Sequence, residues 1–384
     1  MRHRLDPYVA FAAFGVFWGT WGASLPALRD AAALTEAQLG GALLCVGVGA
    51  LPAMLQTGRA VDRFGVRVTG LLLVMLAGAG MVIAWQGRDL VSIALGMLLV
   101  GATSGASDVA ANALAAREEA HSTRRVITLA HGVFSASVVL GSLGAGALRA
   151  SGADAVLVFG VAGAVIAAAG VSVLVSGDGP IGARVAGSPT RRSGGSRAWP
   201  LVVVGLVGAL GFAAENAHQS WSAVFLEDEL DASVGLAALA PATFAVFAAV
   251  TRFTVGASTR IPDAPLLVGG AIAAAAGTLL LASAASLPIA LVGLALAATG
   301  TSVLFPTLLS RSMRDVPEGS RGRATSVIST TAYLGFVLGP AYVGVLAGAV
   351  GLRGAMVGVA VIAAGFAILA PAATRLVART ARVA

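Results

Sequence analysis

Apolar residues in this chain come in long unbroken runs. They follow neither the two-residue period of strands nor the three- and four-residue period of amphipathic helices. Twelve runs can be read: Tyr8–Leu28, Glu36–Gln56, Val68–Trp85, Leu90–Leu114, Val126–Leu148, Ala155–Val175, Leu201–Phe225, Val234–Phe253, Ala264–Ala285, Pro288–Leu309, Ala324–Val350 and Ala355–Ala372. Each is about the 20 residues a helix needs to cross a hydrocarbon layer about 30 Å thick. Each is also apolar on every face, as a helix must be when its surroundings are apolar. The pattern predicts an all-α membrane protein with 12 transmembrane helices. The amino-terminal Arg2, His3 and Arg4 have the charge order of a secretory signal. The apolar run behind them is too long for a signal core and no small-residue cleavage site follows, so it reads as the first span.

Twelve spans leave about 140 residues for every connection, too few for a soluble domain. The longest connection, residues 176–199, is rich in Gly, Ser and Arg and reads as a flexible cytoplasmic linker. It separates an amino-terminal six-helix bundle (1–175) from a carboxy-terminal one (200–384). The halves resemble each other. Shifted by 198 residues, Arg125–Leu148 falls on Arg323–Leu346, so that Val139-Leu140-Gly141 meets Val337-Leu338-Gly339 and Gly146 meets Gly344. Two pseudo-symmetric bundles from a duplicated unit place a solute site near mid-membrane between them. The glycine-rich runs Gly141–Gly146 and Gly335–Gly344 read as small-residue contact faces.

Composition agrees with this and removes other classes. The chain is 57% hydrophobic and 11% charged, with a mean hydropathy of +0.89, outside the soluble range. All 25 basic residues are arginine. They are spread over many short connections instead of one patch, which argues against a nucleic-acid partner. Counted against the twelve runs, 21 arginines fall on one side, and Arg29, Arg88, Arg149 and Arg353 on the other. The arginine-rich side is cytoplasmic and both termini lie there. The single cysteine, Cys45, sits in an apolar run, so neither a disulfide nor a thiolate metal site is expected. The four histidines have no metal-ligand spacing. No nucleotide or cofactor motif is present, and no enzyme is expected.

One connection is dense in charge. Gly58-Arg59-Ala60-Val61-Asp62-Arg63-Phe64-Gly65-Val66-Arg67 lies between the second and third runs. The reading is a tight turn at a membrane face, with Gly58 and Gly65 allowing close backbone approach. Asp62 is then suited to the positive end of the next helix, and Arg63 and Arg67 can bridge helix ends. The segment closely resembles the signature loop between helices 2 and 3 of the major facilitator superfamily, Gly-x-x-x-Asp-Arg-x-Gly-x-Arg. That resemblance implies two six-helix bundles, alternating access and, commonly, proton coupling. Thr251–Arg260 is a worn counterpart in the second half, with Val255 in place of the acid.

Ionisable and strongly polar groups inside spans are costly and mark pathways. The seventh span holds the densest set: Glu215, Asn216, His218 and Gln219, then Trp221 and Ser222. Glu215, His218, Gln219 and Ser222 follow i, i+3, i+4, i+7 spacing and are expected on one face. Glu215 is the leading carboxylate for proton coupling or for solute binding, because an acid kept partly dry can load and release a proton near neutrality. Asn216, His218 and Gln219 are candidate solute contacts. In the first span Phe11, Phe14, Trp18 and Trp21 form an aromatic stripe, which either packs against helices or presents Trp18 and Trp21 to a sugar-like ring. In the fourth span Ser104, Asp108 and Asn112 share a face. Asp108 either pairs with Arg63 as a gate or couples protons itself, and Asn112 is a candidate solute contact. His131, early in the fifth span, either senses protons or satisfies a backbone carbonyl.

Three segments narrow the resemblance. Asp108–Asn112, His131–Ser135 and Trp221–Leu226 (after Glu215) look like the matching parts of YbjJ-type inner-membrane proteins, near the fucose-permease-like, sugar-handling side of the superfamily. The acid that proton-coupled fucose permeases use in span 1 is absent here, where Trp18 and Trp21 stand. Gly339-Pro340 lies in span 11 and span 5 lacks proline, unlike the drug–proton antiporters. The expected function is secondary transport of a small polar, sugar-like solute with protons, by a monomer in a bacterial inner membrane. Proton-driven export of amphipathic compounds is the alternative, and a non-transporting sensor or scaffold on the same fold is a third.

Overall fold

The computed structural model describes residues 5–65, 67–120, 126–176, 199–257, 261–314, 316 and 321–381; some side chains near helix ends also lie outside the description. The described chain is helical nearly throughout. The helices are α1 (Asp6–Ala31), α2 (Glu36–Phe64), α3 (Arg67–Gln86), α4 (Leu90–Ala120), α5 (Val126–Ala150), α6 (Ala155–Ser176), α7 (Trp199–Leu230), α8 (Val234–Ala237), α9 (Leu239–Ala257), α10 (Asp263–Ala282), α11 (Leu287–Thr301), α12 (Leu304–Met313) and α13 (Arg321–Ala381).

Among the described residues these make twelve crossings. The helices α1–α7 and α10 each cross once, α8 with α9 forms one continuous crossing, and so does α11 with α12. The 61-residue α13 is two crossings, because Gly351 breaks it with φ 77° and ψ 166°, a backbone conformation that side-chain-bearing residues avoid. Large apolar side chains face outward, Val175 at 79% and Ile368 at 75% exposure. Such surfaces are stable only against lipid.

The chain divides into two compact units, Met1–Ser188 with Asp231–Ala245, and Pro189–Leu230 with Val246–Ala384. In the first unit α1 packs on α5, α2 on α4 and α3 on α6. The segment Asp231–Ala245 joins this unit through small residues. Gly146 of α5 lies against Ala238, and the buried Ser142 hydroxyl donates to the Ala238 carbonyl at 2.7 Å. In the second unit α7 packs on α13 and α10 on α11. Each unit contains several close helix approaches at glycine, and one of them recurs in both. A Cβ at Gly141 would strike the Val16 backbone of α1, and one at Gly339 would strike the Ala213 backbone of α7. These two glycines are 198 residues apart, the spacing of the repeat.

The charged connection differs from the expected loop. Residues up to Phe64 continue α2, and only Gly65 (φ 74°) turns the chain before α3 starts at Arg67. Asp62 and Arg63 therefore belong to the last turn of α2, not to the start of α3. Helical propensity carries α2 past the apolar run because nothing in Gly58–Phe64 forbids it. The side chains of Arg59, Asp62 and Arg63, and the surroundings of Gly58, lie outside the description.

One end of the second unit is fastened by Arg353, two residues after the break in α13. Its Nε donates to Glu229 Oε2 at 2.7 Å, Nη1 to the carbonyls of Ala282 (2.9 Å) and Ala284 (2.8 Å), and Nη2 to the Glu229 carbonyl (3.1 Å). The guanidinium also lies 5.6 Å from the Phe225 ring centroid. One cation thus meets the carboxy-terminal ends of α7 and α10, where the helix dipoles are negative. Arg353→Ala is expected to cost about 2 kcal/mol, the scale of charge-assisted hydrogen bonds, read as a lower melting temperature in detergent. Arg353→Lys should recover only part, because an ammonium cannot span the same set of acceptors.

Candidate functional site

Each unit gathers polar side chains inside its crossings. In the second unit the centre is Glu215, the seventeenth of the 32 residues of α7. Its Oε1 lies 2.6 Å from Arg252 Nη2, with the carboxylate side chain 11% and the arginine side chain 44% exposed. Gln219 Nε2 donates to the same Oε1 at 3.3 Å. Arg252 lies near the end of the crossing Val234–Val255. Side chains on a helix lean toward its amino terminus, so Arg252 is directed back along α9, into the span, where Glu215 stands.

Two prolines explain where the other polar groups go. Pro306 has no N–H, so the carbonyl of Ser302 lacks its normal helical donor. The chain also leaves helical register there, between α11 and α12. Arg252 Nε donates to that carbonyl at 3.3 Å. Pro340 likewise strands the carbonyl of Phe336 in α13, and Asn216 Nδ2 donates to it. Asn216 Oδ1 in turn accepts from the Ser220 hydroxyl at 3.4 Å. In each case a side chain from another helix supplies the donor that proline lacks.

The expected polar face of α7 is split. Gln219 is exposed and stays with Glu215, whereas His218 is fully buried. The His218 ring meets the Ala214 carbonyl through Nδ1 (2.6 Å) and the Thr278 hydroxyl of α10 through Nε2 (3.0 Å). Ser222 is buried as well. At about 100° per residue, positions i+3 and i+4 sit on opposite sides of position i and about 100° apart. In a helix packed on several neighbours that angle separates two environments.

In the first unit, α4, α5 and α1 bring together most of the remaining candidates. Asn112 Nδ2 donates to the Asp108 carbonyl (2.9 Å) and to Asp108 Oδ1 (3.0 Å). His131 Nε2 shares a hydrogen bond with Asn112 Oδ1 at 3.3 Å. The His131 ring also lies against Phe11, centroids 4.7 Å apart. From Phe11 the aromatic side of α1 continues through Phe14, which meets Phe134 of α5 at 5.6 Å and Trp18 at 6.3 Å. Trp21, 3% exposed, stacks on Phe17 at 6.1 Å and meets Trp18 edge-on at 6.2 Å. Trp18 is half-buried. The described partner of Asp108 is Asn112; the alternative with Arg63 falls on a side chain outside the described residues.

Arg252 is the residue that sequence reasoning missed. The signal was present: an arginine within a crossing, and a tenth span interrupted by Gly300, Ser302 and Pro306. Interrupted helices are where membrane proteins expose unsatisfied backbone for binding.

Comparison with known proteins agrees with this architecture. The Major Facilitator Superfamily model matches residues 8–340 and, in a second alignment, 201–383. The transporter y4wD of Sinorhizobium fredii, itself uncharacterised, is 29% identical over 382 residues, covering 97% of this chain and 99% of that protein. A bacterial homologue of the human lysosomal transporter Spinster, inward-facing and unoccupied, superposes with a TM-score of 0.79 over 98% of this chain and 97% of its own, at 17% identity. A D-xylose–proton symporter does so with a TM-score of 0.76 over 96% of each chain, at 14% identity. The chain belongs to the Major Facilitator Superfamily and is a multi-pass membrane transporter, not an enzyme.

Proposed function

We propose that this transporter moves a small polar, sugar-like solute together with protons across a bacterial inner membrane, by alternating access of two six-helix halves and as a monomer. The observation that carries the reading is the carboxylate–guanidinium pair Glu215–Arg252 inside the crossing helices. Charges are retained there only for a task, because their desolvation is expensive. Glu215 is the coupling carboxylate in this reading, followed by Asp108 and His131. Trp18 and Asn112 are the candidate solute contacts of the first unit and Asn216 and Gln219 those of the second, with Trp21 supporting Trp18 and His218 serving packing. The segments Asp108–Asn112, His131–Ser135 and Trp221–Leu226 favour the sugar-handling, YbjJ-type and fucose-permease-like side of the superfamily. The D-xylose–proton symporter among the fold neighbours supports the same choice. The aromatic group Phe11, Phe14, Trp18 and Phe134 favours export of amphipathic compounds as a second reading.

The test uses proteoliposomes with an imposed pH gradient and a solute identified by thermal shift across a sugar panel. Glu215→Gln should abolish proton-driven uptake while leaving the protein folded and able to bind. Unchanged proton dependence removes Glu215 from the mechanism. For His218 the expectation is the reverse. Thr278→Val removes the hydroxyl that meets the buried ring and should lower stability by about 1–3 kcal/mol with uptake retained. A specific loss of uptake without loss of stability would return His218 to the transport pathway.

A further inference from the structure

We infer that Arg252 is the binding point for an anionic group on the solute, a carboxylate, and that the Glu215–Arg252 pair is the empty state of that site. This rests on the transport reading above and names the solute class for it.

The geometry separates what holds the arginine from what occupies it. Nε is bound to the Ser302 carbonyl, a backbone acceptor that Pro306 leaves without its helical donor. That contact does not involve Glu215, so the guanidinium stays in place when the carboxylate leaves. Nη2 carries Glu215, and Nη1 makes no hydrogen bond among the described residues. A guanidinium side chain 44% exposed within a crossing is stable against water and costly against lipid, so its open face is a wet one. Planar N–H groups at Nη1 and Nη2 fit the two oxygens of a carboxylate, a match that a neutral hydroxyl does not reproduce.

Charge balance supplies the coupling. In the empty state Glu215 and Arg252 neutralise each other. When a solute carboxylate takes the guanidinium, Glu215 keeps only the neutral amide of Gln219 and becomes an uncompensated charge within the membrane. Binding one proton removes that charge. The loaded site then holds neutral Glu215, cationic Arg252 and the anionic solute, again with no net charge. One proton travels with each monovalent carboxylate, and transport is electroneutral. No other charged group among the described residues meets this pair. α11 has no titratable residue, and α12 carries Arg311 near its far end. α13 carries Tyr333 and Tyr342 in its first arm, Arg353, engaged by Glu229, after the break, and Arg375 near its far end; the side chains of Arg321, Arg323 and Arg379 lie outside the described residues. His218 of α7 is turned to Thr278 of α10, and Asp263 of α10 pairs with Arg314.

The experiment is a thermal-shift titration of the full-length protein in detergent. Acetate, lactate, gluconate and glucuronate are each compared with an uncharged amide or alcohol counterpart (glucose for glucuronate). At least one carboxylate should stabilise the wild type where its neutral counterpart does not. The effect should be stronger at about pH 5.5 than at about pH 8, since carboxylates of this kind stay ionised at both. Glu215→Gln should tighten that binding roughly tenfold and remove its pH dependence, whereas a merely structural ion pair would leave binding unchanged or weaker. Arg252→Gln, and the charge-neutral double variant Glu215→Gln/Arg252→Gln, which guards against misfolding from an unpaired acid, should lose it. A panel in which no carboxylate exceeds its neutral counterpart overturns the inference, as does carboxylate binding that survives in the double variant. A neutral sugar that binds and is taken up with protons, independently of Arg252, sinks the anion site and leaves the transport reading standing. Carboxylate binding at Arg252 without proton-driven uptake sinks the transport reading and leaves the site.

Discussion

Hydrocarbon offers no hydrogen bonds, so every polar group within it needs a partner from the protein. The site in the second unit follows from that constraint. Pro306 and Pro340 strand the carbonyls of Ser302 and Phe336, and α9 and α7 answer with Arg252 and Asn216. Once Arg252 is committed to a backbone carbonyl, its charge still needs compensation, and Glu215 supplies it at 2.6 Å. An arrangement that begins as repair of the backbone ends with a fixed cation, a nearby acid and an open face.

The two units solve the same problem with different chemistry. The first joins Asp108, Asn112 and His131 in a chain of hydrogen bonds beside the aromatic side of α1. The second uses an ion pair and a proline break. Their scaffolds remain comparable, since Gly141 and Gly339 each bring one helix pair into close backbone contact. The correspondence between the units is therefore visible in the packing, where a methyl group would obstruct, and absent at the polar positions, where each unit has its own side chains. Elsewhere in the crossings, hydroxyls such as Thr103 and Thr278 bond back to carbonyls one turn earlier, the least demanding way to carry a polar group through lipid.

Much of this was legible from the residues in order. Unbroken apolar runs set the number and approximate limits of the crossings, because length and hydrophobicity alone decide whether a helix can span a bilayer. The 198-residue repeat pointed to the contact glycines, and Gly65 to the turn between α2 and α3. Glu215, Asp108, Asn112 and His131 stood out because ionisable and strongly polar groups are rare in such runs. The end of α2 did not follow the pattern, since a helix may continue into water where hydropathy has already fallen.

What the order of residues left open was direction. A period of 3.6 residues put Glu215, His218 and Gln219 on one nominal face, yet neighbouring helices divided it, burying His218 against Thr278 and leaving Gln219 with Glu215. Arg252 looked like a loop cation because its charge marks a boundary in any hydropathy reading. Only the folded chain shows it bonded to the Ser302 carbonyl at the α11–α12 break and to an acid 37 residues earlier in the chain. Sequence by itself determined that the chain crosses a membrane repeatedly and carries acids within it, since those are properties of composition along a line. Tertiary structure decided which cation each acid meets, since that depends on distances between helices far apart in the chain.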